Sequence, residues 1–339
     1  MTMLDPITRK RIERFKGVKR SYYALLILST LYIISLGAEL IANDKPLFIS
    51  HNKRWYFPVF QTYKRADFGQ NAQTQPDYKT LRKELTGNTT FITPPVWWGY
   101  NESNPHLQRY PAAPHADNWL GTDDRGRDVF VRLLYGFRIS MTFALVTLFF
   151  ALLLGTFVGG IQGFLGGAVD ILGQRFVEMW VSLPYLFVII LVVNIFEPSM
   201  IVLIAVLASF SWMNASYYMR AECLRLKNQE FVLAAESLGA GPMRVFLSHI
   251  IPNAIAPMVT LAPFIMNLSV ASLSFLDYMG LGVQPPTASI GELLKQGREN
   301  FLLAWWLAVY PFSVLVGTLV LINFVGEGVR KAFDPRASV

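Results

Sequence analysis

The fold is decided by Glu230–Pro252, EFVLAAESLGAGPMRVFLSHIIP, a polar-faced segment between long apolar runs. Its GAGP run at 239–242 predicts two brief helices with a break between them. Glycine suits the left-handed residue that ends a helix, and proline suits the first turn of the next one. Residues at helical spacing predict one face that fits a groove on another protein. These residues are Phe231, Ala234, Ala235 and Leu238.

Composition places the chain in the membrane. Of its 339 residues, 53% are hydrophobic and 16% are charged, whereas soluble proteins have about 25% charged residues. Apolar runs of near-spanning length recur, as crossing about 30 Å of hydrocarbon requires. Lys and Arg cluster at the ends of these runs, so the net charge of +7 indicates membrane orientation and lipid contact. We expect no nucleic-acid partner.

The chain shows no sign of its own chemistry. A single cysteine, Cys223, excludes an intrachain disulfide and a cysteine-based metal cluster, and the four histidines lack metal-site spacing. No phosphate-binding loop, zinc-binding HExxH pair or GxSxG nucleophile motif occurs. We therefore expect no catalytic residue, no metal site and no ATP hydrolysis by this chain. Few ionisable residues fall within the apolar runs, which argues against a carrier driven by protons or sodium ions.

Six membrane-spanning helices are predicted, giving an all-α polytopic protein. The apolar runs are Tyr22–Ala42, Ile139–Ile161, Ile171–Phe196, Met200–Tyr217, Asn253–Leu276 and Trp305–Val325. Basic residues beside the short connections place both termini in the cytoplasm. The predicted order is a cytoplasmic N-terminus at 1–20, a first helix at 21–42 and an extracytoplasmic domain at 43–138. A core at 139–329 follows, with a cytoplasmic loop at 220–252, and then a cytoplasmic C-terminus at 330–339.

The first apolar run favours an uncleaved helix over a signal peptide, because the run is long and Leu36–Glu39 makes a poor cleavage site. Glu39 falls in its last turn, where we expect the carboxylate at the outer interface. At mid-bilayer it would cost roughly 2.5–3.5 kcal/mol. Arg175 and Glu178, three residues apart in the third run, are expected to form an ion pair.

Residues 43–138 have a different composition, rich in Pro, Asn, Gln, Tyr and Trp and without a spanning run. We expect a small, irregular domain with short strands at Lys45–Ile49 and Arg54–Phe60. Its aromatic residues indicate either the core of this domain, which we favour, or a face that docks a partner protein. The aromatic candidates for docking are Trp55, Trp97, Trp98 and Tyr100.

A charged run precedes the second apolar helix. Three carboxylates and two arginines fall within Asp123–Asp128, so we expect an exposed cluster whose members pair with one another. Acid–base chemistry is not expected, because such a cluster lacks the burial that shifts a pKa usefully.

The 230–252 segment resembles the EAA loop of ABC-importer permeases, which docks on a cytoplasmic ATPase. Ala234-Ala235, Gly239 and Pro252 stand where that motif has its alanines, glycine and distal proline, while Leu233 replaces its usual opening glutamate. The resemblance implies that the ATPase-coupling residues are Phe231, Ala234, Ala235, Glu236, Leu238, Gly239 and Arg244.

Three further segments are similar to permeases of the peptide, dipeptide and nickel importer family. They are Asn118–Ser140, Asp277–Leu294 and the tail Gly326–Arg336. The run Ala38–Pro46, AELIANDKP, and the long segment 43–117 are most like the Yej-type branch. Gly280, Gly282 and Gln284 lie in the GLGVQPP run, which is either an outer gate under a docked binding protein or a surface turn.

The resemblance implies one of two membrane subunits of an ATP-driven importer of oligopeptides or peptide-like compounds in a bacterial inner membrane. Its partners would be a cytoplasmic ABC ATPase that carries the ATP and Mg, a second related permease, and a periplasmic substrate-binding protein. The alternatives are a permease for nickel or another substrate, a stand-alone secondary carrier, and a membrane receptor. Five polar residues on apolar helices either line the translocation path or form helix–helix hydrogen bonds: Asn194, Asn214, Asn267, Ser272 and Asn323.

Overall fold

A computed structural model describes residues 6–70, 74–85 and 89–333. Its α-helices are α1 (Pro6–Gly17), α2 (Lys19–Leu36), α3 (Ala38–Ile41), α4 (Tyr78–Glu84), α5 (Val129–Leu165), α6 (Gly167–Val181), α7 (Tyr185–Ile195), α8 (Met200–Leu226), α9 (Glu230–Ser237), α10 (Pro242–Val245), α11 (Ile251–Met279), α12 (Ile290–Glu299) and α13 (Trp305–Phe333). The strands are β1 (Phe48–His51), β2 (Arg54–Tyr56) and β3 (Thr89–Ile92). Asp334, Pro335 and Arg336 of the predicted tail lie outside the described residues.

Within the described residues, four helices are long and apolar enough to cross a membrane: α5, α8, the continuous helix Pro242–Met279, and α13. The predicted span Ile171–Phe196 is a pair of helices, α6 and α7, bent by 72°. Pro184 lies at this break. Proline lacks the backbone N–H that would continue the helical hydrogen bonds, so it favours a break here. The pair makes a fifth span if counted as one. The predicted first span is helical as α2 and α3 but is not among these, so the number six stays a prediction.

Contacts divide the chain into two compact units, which are described separately. The first unit comprises the described parts of Met1–Ser29, Ser140–Gln284 and Leu315–Val339. The second unit comprises those of Thr30–Ile139 and Pro285–Val314.

In the first unit, glycines bring α5 close to α8. A Cβ atom built at Gly159 would lie 2.8 Å from Ser216 Cα, and one at Gly163 would lie 2.7 Å from Cys223 Cβ. Gly155, one turn earlier, meets the backbone of Trp212 in the same way. Small residues spaced four apart let membrane helices approach backbone to backbone. This contact holds α8 against α5, and the far end of α8 leads into the segment Glu230–Pro252.

The second unit contains a three-stranded antiparallel sheet in the order β2-β1-β3. Ile49 in the central strand pairs with Tyr56 on one side and Phe91 on the other. Ile49 and Tyr56 pack with buried Phe68, Tyr78 and Leu81 in one apolar cluster. Strand β2 lies within the predicted Arg54–Phe60, and β1 overlaps the predicted Lys45–Ile49 only at Phe48 and Ile49. Strand β3 has no counterpart among the predictions. A second cluster joins α3 to the start of α5 through Ala38, Ala42, Val131 and Tyr135.

Candidate functional site

The segment Glu230–Pro252 forms a helix, a tight turn and a second helix. Gly239 follows α9 with φ +85°, a left-handed conformation that favours glycine. The Ala240 N–H donates to Ala235 O at 3.0 Å and the Gly239 N–H to Glu236 O at 2.9 Å, which satisfies the last carbonyls of the helix. Pro242 occupies the first turn of α10. The break between the two helices therefore lies at the GAGP run, as the sequence predicts.

The second helix is not short, which corrects the expectation of two brief helices. It continues from Pro242 through a π-helical turn at Phe246–Ile250 and then through α11 to Met279. Pro252 does not end it, because this proline falls just after the π-helical turn, where the regular α-helical hydrogen bonds are already interrupted.

One residue anchors α9 to the first unit. Val232 is fully buried and packs in an apolar cluster with Met219 and Cys223 of α8 and with Val245 and Phe246 of the following helix. Its neighbours on either side, Phe231 and Leu233, are exposed by 41% and 50%. The buried side of α9 thus holds the helix in place, while its other side remains available for a partner.

The outward side of this segment carries the predicted coupling residues. Leu238 is 89% exposed, and Ala234, Glu236 and Arg244 are also exposed, whereas Ala235 is half-buried. Three exposed apolar residues near them were not predicted, Leu233, Met243 and Leu247. Met243 and Leu247 are four residues apart after Pro242, a spacing that the sequence already displays. We call the exposed residues Phe231, Leu233, Leu238, Met243 and Leu247 the coupling face.

Two of the predicted path residues line one cavity in the first unit. Asn214 and Ser272 border a space of about 190 Å³, together with Tyr185 and Phe210. The other three lie elsewhere. Asn194 donates to Ile190 O of its own helix at 2.6 Å, and Asn323 is exposed on α13. Asn267 of α11 donates to Leu319 O of α13 at 3.5 Å, a helix–helix hydrogen bond.

The predicted gate residues form one turn after α11. Gly280 ends the helix with φ +79°. The Asp277 carboxylate accepts a hydrogen bond from the Val283 N–H at 2.7 Å, and a Cβ atom at Gly282 would collide with this carboxylate. Gln284 donates to Gly280 O at 3.2 Å. The turn is therefore closed by its own hydrogen bonds and requires glycine at both positions.

The four aromatic residues predicted as docking candidates divide between surface and core. Trp55 is 71% exposed. Trp97 packs on the sheet cluster and Trp98 on the α3–α5 cluster, and their indoles donate to Asp44 O and Asp117 O, each at 2.9 Å. Tyr100 is 38% exposed and its ring centroid lies 5.2 Å from that of Tyr135. Of these four candidates, Trp55 and Tyr100 thus offer the exposed aromatic surface to a partner.

The charged run before α5 is partly buried, which corrects the expectation of an exposed cluster. Asp123 and Arg127 are buried, while Asp124 and Arg125 are exposed. Arg127 donates through Nε to Asp123 at 2.7 Å and through Nη2 to Glu292 of α12 at 3.2 Å. Arg132 of α5, also buried, pairs with Glu292 and lies 3.5 Å from Asp123. We call Asp123, Arg127, Arg132 and Glu292 the buried charge cluster.

Burial is tolerated because two positive and two negative groups balance in charge and pair with one another, although Arg127 Nη1 and Arg132 Nε have no hydrogen-bond partner. The sequence run contained only half of the cluster, and Arg132 and Glu292 were missed. Asp128 has a different role at the start of α5. Its carboxylate accepts from the Val131 N–H at 2.9 Å and from the Asn118 amide at 2.8 Å. Burial nevertheless raises the pKa of Asp128.

Within the described residues, no group of three His, Cys, Asp or Glu side chains is placed to hold a metal ion. The features described so far are the coupling face, the cavity beside Asn214 and Ser272, and the buried charge cluster.

Comparison with known proteins assigns the chain. Residues 151–339 match the family described as binding-protein-dependent transport system inner membrane component. The chain belongs to this family. It is 40% identical over its full length to the inner membrane ABC transporter permease protein YejE of Escherichia coli, all of which is covered. It is 38% identical to the peptidoglycan transport system permease protein YejE of Agrobacterium fabrum, over 98% of this chain and 94% of the relative.

A third relative is the oligopeptide transport system permease protein OppC of Bacillus subtilis. It is 34% identical over 72% of this chain and 80% of its own length. The predicted membership of the ABC-importer permeases, most like the Yej-type branch, is confirmed. The chain is a multi-pass inner-membrane transport component.

Proposed function

We propose that this chain forms half of the translocation path of an ATP-driven importer of oligopeptides or peptide-like compounds. The names of relatives that are 34–40% identical, which include peptidoglycan and oligopeptide transport systems, support this substrate class. In this proposal a separate ABC ATPase binds Mg and hydrolyses ATP, a second related permease completes the path, and a periplasmic binding protein delivers the substrate. This chain itself is not catalytic.

The coupling face is the observation that carries the proposal. A helix held by fully buried Val232 presents Leu238, which is 89% exposed, beside Phe231 and Met243. The five exposed residues of the coupling face fall between 231 and 247 in the chain, and exposed apolar patches mark protein interaction sites. Such a face on a firmly packed helix transmits movement of a docked ATPase to the long helix that follows, as a rigid-body shift.

The proposal includes an orientation. In it the coupling face meets a cytoplasmic ATPase, both termini lie in the cytoplasm and the segment 43–138 lies in the periplasm. The basic residues of α1 and of the end of α13 then face the cytoplasmic lipid surface. Asn214 and Ser272 are the path residues with most support, because they share one cavity.

Transport in vesicles tests the proposal. The chain is purified from its host with its associated proteins, and peptide uptake is measured with and without ATP. We expect an ABC ATPase and a second permease to co-purify and uptake to require ATP. Uptake by this chain alone would instead establish a secondary carrier. Ligand binding without uptake would establish a receptor, and transport of nickel but not of peptides would change the substrate class.

Gly239→Trp tests the position of the coupling site. We expect the variant to insert in the membrane but to lose ATPase association and peptide uptake, because the indole would stand on the coupling face. Gly69→Trp is the matched control, since Gly69 also has a positive φ, +81°, and open space around its Cβ position. Normal uptake and an intact complex in the Gly239 variant would remove the coupling site from this turn.

A further inference from the structure

The second unit contains a cleft of about 770 Å³, and of its lining residues Tyr100 alone was considered above as a docking candidate. Glu39 and Arg138 stand on its wall, joined by hydrogen bonds of 2.8 and 2.9 Å from Nη1 of Arg138, so we call it the Glu39–Arg138 cleft. Ligand pockets in proteins have volumes of about 300–1,000 Å³. The cleft therefore has room for a short peptide, and its size alone does not identify the ligand.

Most charged groups in the cleft already have partners. Glu39 is paired with Arg138. Glu102 accepts from Lys79 Nζ at 2.6 Å and from the Gly99 N–H at 3.0 Å. These groups fix the walls but have little charge left for a ligand.

Asp44 and Lys45 are different. Both line the cleft, and among the described residues neither side chain forms an ion pair or a hydrogen bond. The cleft therefore offers one free negative group and one free positive group to whatever enters it. A concave site concentrates the field of such charges more than a flat surface does.

The backbone around these two residues is held in place. The Trp97 indole donates to Asp44 O at 2.9 Å, and the Lys45 N–H donates to the side chain of Asn43 at 3.3 Å. The hydroxyl of Tyr135 donates to Ala42 O at 3.0 Å, and its ring packs against that of Tyr100. A backbone that is already held in place loses little conformational entropy when a ligand binds.

We propose that the Glu39–Arg138 cleft binds a short peptide with free termini, with Asp44 contacting the terminal ammonium and Lys45 the terminal carboxylate. Tyr100 and Tyr135, which also line the cleft, provide apolar contact for the peptide side chains. This inference rests on the proposed function for its substrate class and adds a peptide site in the second unit. The segment between the first two predicted spans then receives substrate in addition to any contact with the binding protein.

Calorimetry on the full chain in lipid nanodiscs tests the site. The probes are trialanine, N-acetyl-trialanine and trialanine amide. Asp44→Asn is expected to weaken trialanine binding about tenfold, as loss of a charge-assisted hydrogen bond does, and to leave the N-acetyl peptide unaffected. Lys45→Gln is expected to weaken trialanine by a similar factor and to leave the amide unaffected. The matched controls Asp117→Asn and Lys83→Gln, both exposed and outside the cleft, should bind like the parent chain.

Three results would overturn the proposal: no binding of trialanine, equal binding of all three peptides by the parent chain, or the same loss in the controls. Uptake by the complete importer separates this inference from the proposed function. ATP-driven peptide uptake with an unchanged KM in both cleft variants would remove the site and leave the importer. Termini-specific binding by a chain whose complex shows no ATP-driven uptake would keep the site and remove the importer.

Discussion

The coupling face, in the first unit, and the buried charge cluster, in the second, differ in which kind of side chain is exposed to solvent. In the first unit, apolar Phe231 and Leu238 stand in solvent around one buried valine. In the second unit, Asp123, Arg127 and Arg132 are withdrawn from solvent. Burial of charge is costly unless every group is paired within the chain. Exposure of apolar groups is tolerated, but it leaves surface for another protein to cover. In the proposed function the first region therefore depends on a partner, whereas the second depends on its own chain for its stability.

The largest effect is expected from Asp123→Asn. The substitution keeps the shape of the side chain but leaves two buried arginines with one glutamate. Breaking a buried pair by removing one partner costs about 3–5 kcal/mol, and we expect a loss of that size in the free energy of unfolding in detergent, measured with a denaturant. Asp124→Asn, at the exposed neighbouring residue, is the control and should change little.

A double variant sharpens this test. Asp123→Asn with Arg132→Met removes one positive group along with the negative one, so part of the lost stability should return. If the double variant is less stable than the sum of the two single changes, the cluster is held by shape rather than by charge balance.

A smaller effect, on association rather than on stability, is expected from Leu238→Asp. Central apolar residues of an interface contribute about 2 kcal/mol or more, so the affinity for the purified ATPase should fall roughly 30-fold. The free energy of unfolding should change by less than about 0.5 kcal/mol, because the residue is exposed. Leu302→Asp is the control, since Leu302 of the second unit is 96% exposed. Equal loss of affinity in both variants would show that the coupling face is not the ATPase site.

The two units also contain helix caps that differ in burial. Asp128 caps α5 from a buried position and is tied to Asn118, while Ser199 caps α8 from an exposed one, accepting from the Val202 N–H at 3.3 Å. Loss of a cap costs about 0.5–2 kcal/mol. We expect Asp128→Ala to lie at the upper end of this range, because the Asn118 amide loses its partner, and Ser199→Ala at the lower end. Thermal unfolding of the two variants in one detergent measures the difference.

Sequence reasoning succeeded where the signal is local. Gly239 and Pro242 mark a helix end and a helix start within four residues, so the turn between α9 and α10 was predictable. The turn residues that bound short apolar and aromatic segments likewise indicated β2 and the first half of β1. The helix face was predicted less well, because Val232, which anchors α9, is no more apolar than the exposed Leu233 beside it. Only the packing against α8 tells them apart.

The buried charge cluster was not predictable for a different reason. Asp123 and Arg127 are close in sequence, and their pairing was expected. Their burial depends on Arg132 and on Glu292, which lies 165 residues beyond Arg127. Pattern within one segment contains no information about such a distant contact. The strand β3 was missed similarly, since its pairing with β1 joins Phe48 to Ile92.

The smallest loss of stability is expected from Arg175→Gln. This variant breaks an exposed ion pair and is compared with Asp123→Asn, which breaks a buried one. Arg175 donates to Glu178 at 2.6 Å, close to the 2.7 Å between Arg127 and Asp123, but its side chain is 72% exposed. An exposed pair on one helix contributes about 0.3–0.5 kcal/mol, so the free energy of unfolding of the isolated chain should barely change. The same variant is then measured in the assembled importer. A loss of more than about 1 kcal/mol there, but not in the isolated chain, would mean that another subunit covers Arg175 and that the pair becomes buried on assembly. An equally small change in both states would show that this side of α6 stays exposed. It would also show that burial, and not bond length, decides how much an ion pair such as Arg127–Asp123 contributes to the free energy of unfolding.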